Sequence, residues 1–179
     1  MNASTDIVTQ DQPASVPAPA SPGAIYRACL AVGASDDVAK ILACIAMLHT
    51  QGQVAYRLQG HGVGDVVGAW AVCTDVWGSV PSNLSGQASQ ALRVYNEQIV
   101  TLPWTSETLA ERCAVSNMAW FQPSAIRSQM PINPVSPVLL SKVNSILSQL
   151  GPGAADSTNT FITLAVVAGV IVTLYLLLA

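Results

Sequence analysis

Residues 35–50 read SDDVAKILACIAMLHT, and this stretch decides the fold. Ser35 is a favourable N-cap, and the carboxylates of Asp36 and Asp37 suit the positive end of a helix dipole. Apolar residues then recur at the 3.6-residue period of an amphipathic helix. The buried stripe that this period predicts consists of Val38, Ile41, Leu42, Ile45 and Leu48. We therefore expect a long helix that lies against the core.

Helical patterns recur on both sides of this stretch. The other helical segments are residues 24–34, 85–100, 106–115 and 137–150. In the last segment, the apolar stripe begins at Val138. Residues 52–86 are instead rich in glycine and aromatic residues, a composition typical of loops with at most short strands or turns. This order predicts a mainly α domain with one long irregular insertion after its second helix.

The chain contains few charged residues. Charged residues make up 9% of the sequence and the net charge is −3, whereas ordinary soluble domains have roughly 25% charged residues. A surface with so few charges indicates contact with lipid, glycan or protein neighbours. Lysine and arginine form no cluster, and we therefore expect no nucleic-acid partner.

The cysteines and histidines do not form a metal-binding pattern. The sequence has 4 cysteines without a C-x-x-C pair and 2 histidines, so we expect neither a metal site nor a cofactor. Cys29 and Cys44 fall on apolar helical faces and are expected to be buried thiols. Cys73 and Cys113 are either reduced or bridged, depending on whether the domain sits in an oxidising space. His49 follows an apolar run and is expected to be partly buried.

The C-terminal residues 161–179 read FITLAVVAGVIVTLYLLLA and carry no charge. As a helix they would reach roughly 28 Å, about the thickness of a bilayer's hydrocarbon core. They predict a single transmembrane helix, a C-terminal anchor whose partner is the lipid bilayer. Before it we expect a flexible Pro/Ala-rich arm at residues 1–22, a helical domain at 23–150 and a linker at 151–160. The arm lacks the basic and apolar regions of a secretory signal peptide.

The glycine-rich insertion offers the chemistry of a sugar cleft. Glycines let backbone amides and carbonyls approach a ligand closely, and Gly64 and Gly68 are candidates for this role. Trp70 and Trp77 have flat apolar faces that suit sugar rings, and their indole N–H groups can donate hydrogen bonds. For both tryptophans, lining the core is an equally open alternative.

Three stretches resemble the lysozyme-like lytic transglycosylases. In that family a helix ends in a short His-Glu-Ser turn, and a glycine-rich loop and an Ala/Leu-rich helix follow. The matching stretches are MLHTQG at Met47–Gly52, YRLQGHGVGDVVGAWAV at Tyr56–Val72 and QASQALRVYNE at Gln87–Glu97. The resemblance covers about residues 38–97. It implies a lysozyme-like helical domain with a Gly-rich loop insertion, and peptidoglycan as a partner.

The sequence departs from that family at the residues that carry its chemistry. The family's general acid is a glutamate, and Thr50 stands in its place. A threonine hydroxyl cannot protonate a leaving oxygen near neutral pH. Ala71 stands where the family has a glutamine. Either the scaffold has lost the chemistry or another carboxylate supplies the acid, for which the candidates are Asp65 and Glu97. For Asp65 the alternative is a turn cap, and for Glu97 a surface pair with Arg93.

These features leave several functions open. The favoured one is a membrane-anchored, degenerate transglycosylase-like protein that engages peptidoglycan or serves architecture, in the manner of virion proteins of membrane-containing bacteriophages. An active peptidoglycan-degrading transglycosylase for cell entry is an alternative. A purely structural minor membrane protein of an internal-membrane virion, in contact with capsid or envelope proteins, is another. In each case we expect a location in the virion membrane or the bacterial envelope.

Overall fold

The computed structural model describes residues 17–59, 64–100, 108–121 and 135–150. The fold within these ranges is mainly helical, as the sequence predicts. Its helices are α1 (Pro22–Ala31), α2 (Asp36–Thr50), α3 (Thr74–Trp77), α4 (Leu84–Val94), α5 (Leu109–Ala119) and α6 (Pro137–Ser148). A π-helical turn, Tyr95–Ile99, extends α4.

The insertion between α2 and α4 contains three very short strands. They are β1 (Arg57–Leu58), β2 (Val66–Val67) and β3 (Val72–Cys73). The strands form one antiparallel sheet in the order β1-β2-β3. Arg57 pairs with Val67 in the first ladder, and Val66 pairs with Cys73 in the second. The prediction of short strands in this insertion is confirmed, whereas the short helix α3 was not predicted.

Helix α2 is the centre of the domain. Its N-cap is Ser35, whose hydroxyl accepts from the Val38 amide at 3.4 Å. Ala39 and every residue from Ile41 to Ala46 are buried, whereas Val38, Lys40 and Leu48 are only partly covered. The reason is that α1, α5 and α6 all pack against α2. A helix that is covered on most sides needs more than the single apolar stripe that the sequence period predicts.

The domain begins slightly earlier than predicted. The Ala20 amide donates to the Gly52 carbonyl at 2.9 Å, which fixes the chain against the end of α2. Ser21 then caps α1, and its hydroxyl accepts from the Ala24 amide at 3.2 Å. The last residues of the predicted arm 1–22 therefore belong to the packed domain.

The predicted membrane anchor falls outside the described residues. The same holds for the linker 151–160 and for residues 1–16 of the arm. Within the described ranges, no helix is long and apolar enough to cross a membrane.

The helices differ from the prediction in several details. The segment predicted as one helix to Val100 changes to a π-helical turn at Tyr95. Helix α5 begins at Leu109 instead of residue 106, because Thr108 and Glu111 form a capping box there. In α6, Val138 is 67% exposed and does not belong to the buried stripe. Val143 and Ile146 are the buried residues of that helix.

The most unusual part of the core is an irregular segment, residues 68–71, which we call the inner loop. Ala69, Trp70 and Ala71 are buried although they belong to no helix or strand. Ala71 has a φ of 52°, a left-handed conformation that is uncommon for a residue with a β-carbon. Buried backbone amides and carbonyls must find hydrogen-bond partners.

Side chains from three helical regions supply those partners. The Gln87 Oε1 atom accepts from the Ala69 amide at 2.8 Å, and the Thr50 hydroxyl lies 2.5 Å from the Ala69 carbonyl. The Trp120 indole N–H donates to the Trp70 carbonyl at 2.8 Å. The Trp70 indole in turn donates to the Leu42 carbonyl of α2, also at 2.8 Å. The inner loop is thus joined to α2, to α4 and to the end of α5.

Replacing Gln87 by alanine should destabilise the protein strongly. The Gln87 amide also donates to the Val54 and Pro81 carbonyls at 2.9 and 2.8 Å, so that one side chain satisfies several backbone groups. Leaving a buried group unpaired costs about 1–3 kcal/mol, and we expect Gln87→Ala to lower the free energy of unfolding by about 3 kcal/mol. Denaturant unfolding of the full chain in detergent measures this. Ser89→Ala, at an exposed position of the same helix, is the control and should have little effect.

Candidate functional site

The end of α2 is where the family resemblance locates the catalytic acid. Thr50 occupies this position and is 4% exposed. Its hydroxyl lies 3.1 Å from the Ala46 carbonyl and 2.5 Å from the Ala69 carbonyl. Both neighbours are acceptors, so the hydroxyl proton is held within the protein. Thr50 therefore connects α2 to the inner loop and presents no proton donor to a ligand.

The two glycines predicted to admit a ligand lie against protein side chains instead. A β-carbon on Gly64 would lie 2.2 Å from the nearest carboxylate oxygen of Asp75. One on Gly68 would lie 2.8 Å from Gln87 Oε1. Both glycines also have positive φ angles, 82° and 80°. Their requirement for glycine is thus explained by turn geometry and by close packing within the protein.

The two predicted glycan-binding tryptophans have different surroundings. Trp70 is 1% exposed and its indole N–H is bonded to Leu42, so its ring faces are covered by the core. Of the two roles left open for Trp70, the burial of its ring favours lining the core over stacking on a sugar. Trp77 is only partly buried and lies at the end of α3, beside a groove. Of the two, Trp77 alone offers part of its ring to a ligand.

The two carboxylates considered as substitute acids are both at the surface. Asp65 forms an ion pair with Arg57, whose Nε and Nη2 atoms lie 3.0 and 2.5 Å from its Oδ2. Glu97 is exposed on the π-helical turn. The predicted partner of Glu97, Arg93, turns toward Trp77 and donates to its backbone carbonyl at 3.1 Å.

The groove beside Trp77 lies between the end of α3 and one face of α4, from Gly86 to Arg93. Its volume is about 480 Å³. The residues that line it are Trp77, Gly78, Ser79, Pro81, Gly86, Ser89, Gln90 and Arg93. The side chains in this set combine an aromatic ring, hydroxyls, an amide and a guanidinium. We refer to it below as the Trp77 groove.

The chemistry of the Trp77 groove favours a polar ligand with a negative charge. The carbon of the Arg93 guanidinium lies 5.5 Å from the centroid of the Trp77 ring, within cation–π range. The Gln90 side-chain amide donates to the Trp77 carbonyl at 3.2 Å, and this bond joins α4 to the end of α3. Arg93 is the charged member of the lining set. A guanidinium has five N–H donors, so its bond to Trp77 leaves others for a carboxylate.

The sequence reasoning missed Gln87, Trp120 and Arg93. One signal was present for Gln87, because it lies on the same face of α4 as Ala91 and Val94. A glutamine among small apolar residues indicates a buried hydrogen-bonding role. The partners of Trp120 and Arg93 are distant in sequence, and no local pattern identifies them.

The comparisons with known proteins add nothing to this geometry. No protein-family model, no curated protein and no solved structure matches the chain.

His49, one residue before Thr50, is the titrating group closest in sequence to the predicted acid position. Its ring meets Phe121 edge to face, with centroids 4.6 Å apart. Burial lowers the pKa of His49, and a hydrogen bond with the Asn117 backbone partly opposes this effect. The prediction that His49 is partly buried is confirmed.

Acidification should destabilise the fold through His49. In the unfolded chain its pKa is near 6.5, above the value in the folded protein. The stabilising contribution of the neutral ring is therefore complete above pH 6.5, and it is lost as the pH falls through the folded-state pKa. The largest slope that one such group gives is about 1.4 kcal/mol per pH unit. Thermal or denaturant unfolding between about pH 7.5 and 5.5 should show a smaller slope for His49→Gln than for the wild type; equal slopes would contradict this assignment.

Proposed function

We propose that the chain is a membrane-anchored protein with a lysozyme-like domain that binds peptidoglycan without cleaving it. The observation that carries this proposal is the environment of Thr50. The side chain in the position of the general acid is a buried hydroxyl directed at two backbone carbonyls. Glycosidic cleavage requires a carboxylic acid beside the leaving oxygen.

The arrangement around the inner loop supports the lysozyme-like part of the proposal. The resemblance implies a helix, a glycine-rich segment and a second helix that meet at one place. Thr50 at the end of α2 and Gln87 in the first turn of α4 both hydrogen-bond to Ala69. The three stretches that carry the resemblance are therefore in direct contact with one another.

The Trp77 groove supports the glycan-binding part. An aromatic face and hydroxyl groups suit sugar rings, and the Arg93 guanidinium suits a carboxylate. Peptidoglycan combines both features, since its strands consist of sugar rings and its peptides carry carboxylates. In this proposal Trp77 and Arg93 replace Gly64, Gly68 and Trp70 as the residues that contact the glycan.

The proposed location is a membrane. Residues 161–179 are the proposed anchor in the bilayer, either in the internal membrane of a virion or in the bacterial envelope. Such an anchor would hold the groove close to the cell wall. Contact of the domain with capsid or envelope proteins is compatible with the same topology, and it is the function that remains if no glycan binds.

Binding to the cell wall is tested by co-sedimentation of the full chain, in detergent, with purified peptidoglycan sacculi. We expect the wild type to sediment with them. Trp77→Ala should bind about tenfold more weakly, a loss of about 1.4 kcal/mol, because it removes the aromatic face. Trp77→Phe, which keeps a ring, should retain most of the affinity. Val76→Ala is the matched control, because Val76 is 61% exposed on the same short helix and does not line the groove.

The outcomes separate the three functions. Sedimentation without loss of sacculus turbidity supports a binding protein. Clearing of the suspension by the wild type would show an active enzyme and overturn the proposal. If the folded protein neither sediments nor clears the suspension, the glycan role is wrong and the architectural function is favoured.

Substituting a carboxylic acid at Thr50 tests the scaffold. Burial at this position should keep the new acid protonated, as a general acid requires. We expect Thr50→Glu to produce slow but measurable clearing of sacculi that the wild type lacks. Some stability should be lost, because a larger side chain is inserted at a buried position.

Thr50→Gln provides the control for this substitution. It has nearly the same size as Thr50→Glu and no acid, so it should remain inactive. If both variants fold, as judged by circular dichroism, and both remain inactive, then the end of α2 is not equivalent to the catalytic position of the transglycosylases.

A further inference from the structure

Two buried cysteines meet where α2 packs against α5. Cys44 and Cys113 are both fully buried, and their thiols are hydrogen-bonded to each other. The two residues are far apart in sequence, so the contact depends on the packing of the two helices. The sequence had suggested Cys73 as the partner of Cys113. Cys73 instead lies in β3 and is only partly buried.

Contacts on either side of the two cysteines fix the helices in this register. Toward the start of α2, Asp37 forms an ion pair with Arg112, the neighbour of Cys113, at 2.6 Å. Toward its end, His49 is hydrogen-bonded to the backbone of Asn117, one turn after Cys113. One further contact between α2 and α5 therefore lies on each side of the contact between the two thiols.

We propose that Cys44 and Cys113 form an inter-helix disulfide when the chain folds in an oxidising compartment. The oxidant is a small-molecule or protein disulfide, RSSR. One cysteine thiolate attacks RSSR and releases a first RS⁻, which gives a mixed disulfide. The second thiolate then attacks the cysteine sulfur of that mixed disulfide and releases a second RS⁻. The two cysteines lose two protons and two electrons, and RSSR becomes two RSH.

Burial determines when this bond forms. The hydrogen bond with Cys44 and the burial of the site both raise the pKa of Cys113, which keeps it a thiol in the folded protein. Thiolates are the attacking species, and the site is closed to an oxidant. The bond therefore forms before the helices are fully packed, or during transient opening. Once formed, it is protected from reductants by the same burial.

A bond at this site also reports on topology. The nearest basic residue before the apolar segment 161–179 is Lys142, so flanking charge does not indicate an orientation for the proposed anchor. Disulfides persist in oxidising spaces and are rare in reducing ones. A Cys44–Cys113 bond in protein extracted from a native membrane would indicate that the domain lies on the oxidising side.

Refolding of the full chain tests the proposal. The reduced, unfolded protein is transferred into detergent with a mixture of reduced and oxidised glutathione, and it is then alkylated, digested and analysed by mass spectrometry. We expect one disulfide, between Cys44 and Cys113, with alkylation of Cys29 and Cys73. The oxidised protein should melt several degrees above the reduced protein, because the bond restricts the unfolded chain.

Two further measurements keep the test decisive. Cys73→Ser should form the same bond as the wild type, whereas Cys113→Ser should not. Folded, reduced protein exposed to diamide should form the same bond slowly, and faster when mild denaturant opens the helices. Alkylation of all four cysteines after refolding, or a bond from Cys113 to Cys73, would overturn the proposal. Neither result bears on peptidoglycan binding, which is measured separately.

Discussion

An irregular loop at the centre of a helical domain must have its backbone hydrogen bonds satisfied by side chains. Residues 69–71 lie in the core without helical or strand pairing. Thr50 and Gln87 bond the carbonyl and the amide of Ala69, and Trp120 bonds the carbonyl of Trp70, whereas the Ala71 amide donates to the Gly68 carbonyl. An unpaired buried backbone group costs about as much as a lost hydrogen bond. Helix α2, the short sheet and α4 are held in their arrangement by these bonds, and the other features of the domain depend on it.

This constraint bears on the absence of an acid at the end of α2. The Thr50 hydroxyl lies 2.5 Å from the Ala69 carbonyl, which can only accept a hydrogen bond. An ionised carboxylate there would have no proton to donate, and two facing acceptors repel each other. A protonated glutamate could donate a hydrogen bond to the Ala69 carbonyl. That hydrogen bond would be lost whenever the glutamate transferred its proton to a substrate. Linking α2 to the inner loop and acting as an acid are therefore competing roles for this one residue.

Much of the helical framework could be predicted from the sequence, because caps and apolar periods are local signals. Ser35 and α2 are examples, and so are the short strands of the glycine-rich insertion. The contacts of the inner loop could not be predicted, since Gln87 and Trp120 reach it from distant parts of the chain. For the same reason the sequence did not indicate that Cys44 is the neighbour of Cys113, and it left the role of Trp70 undecided. Periodicity shows that a residue is apolar, but it does not show which neighbour covers it.

Helix α4 contributes both to the core and to the groove of the proposed glycan-binding function. Gln87 points from its first turn to the inner loop, whereas Gln90 and Arg93 are directed to the carbonyl of Trp77 at the rim of the groove. The same rigid helix thus supports the core on one side and shapes the Trp77 groove on the other. None of the groove contacts requires a carboxylic acid at the end of α2. The groove is therefore independent of the chemistry of the side chain at position 50, which supports the loop that positions α4.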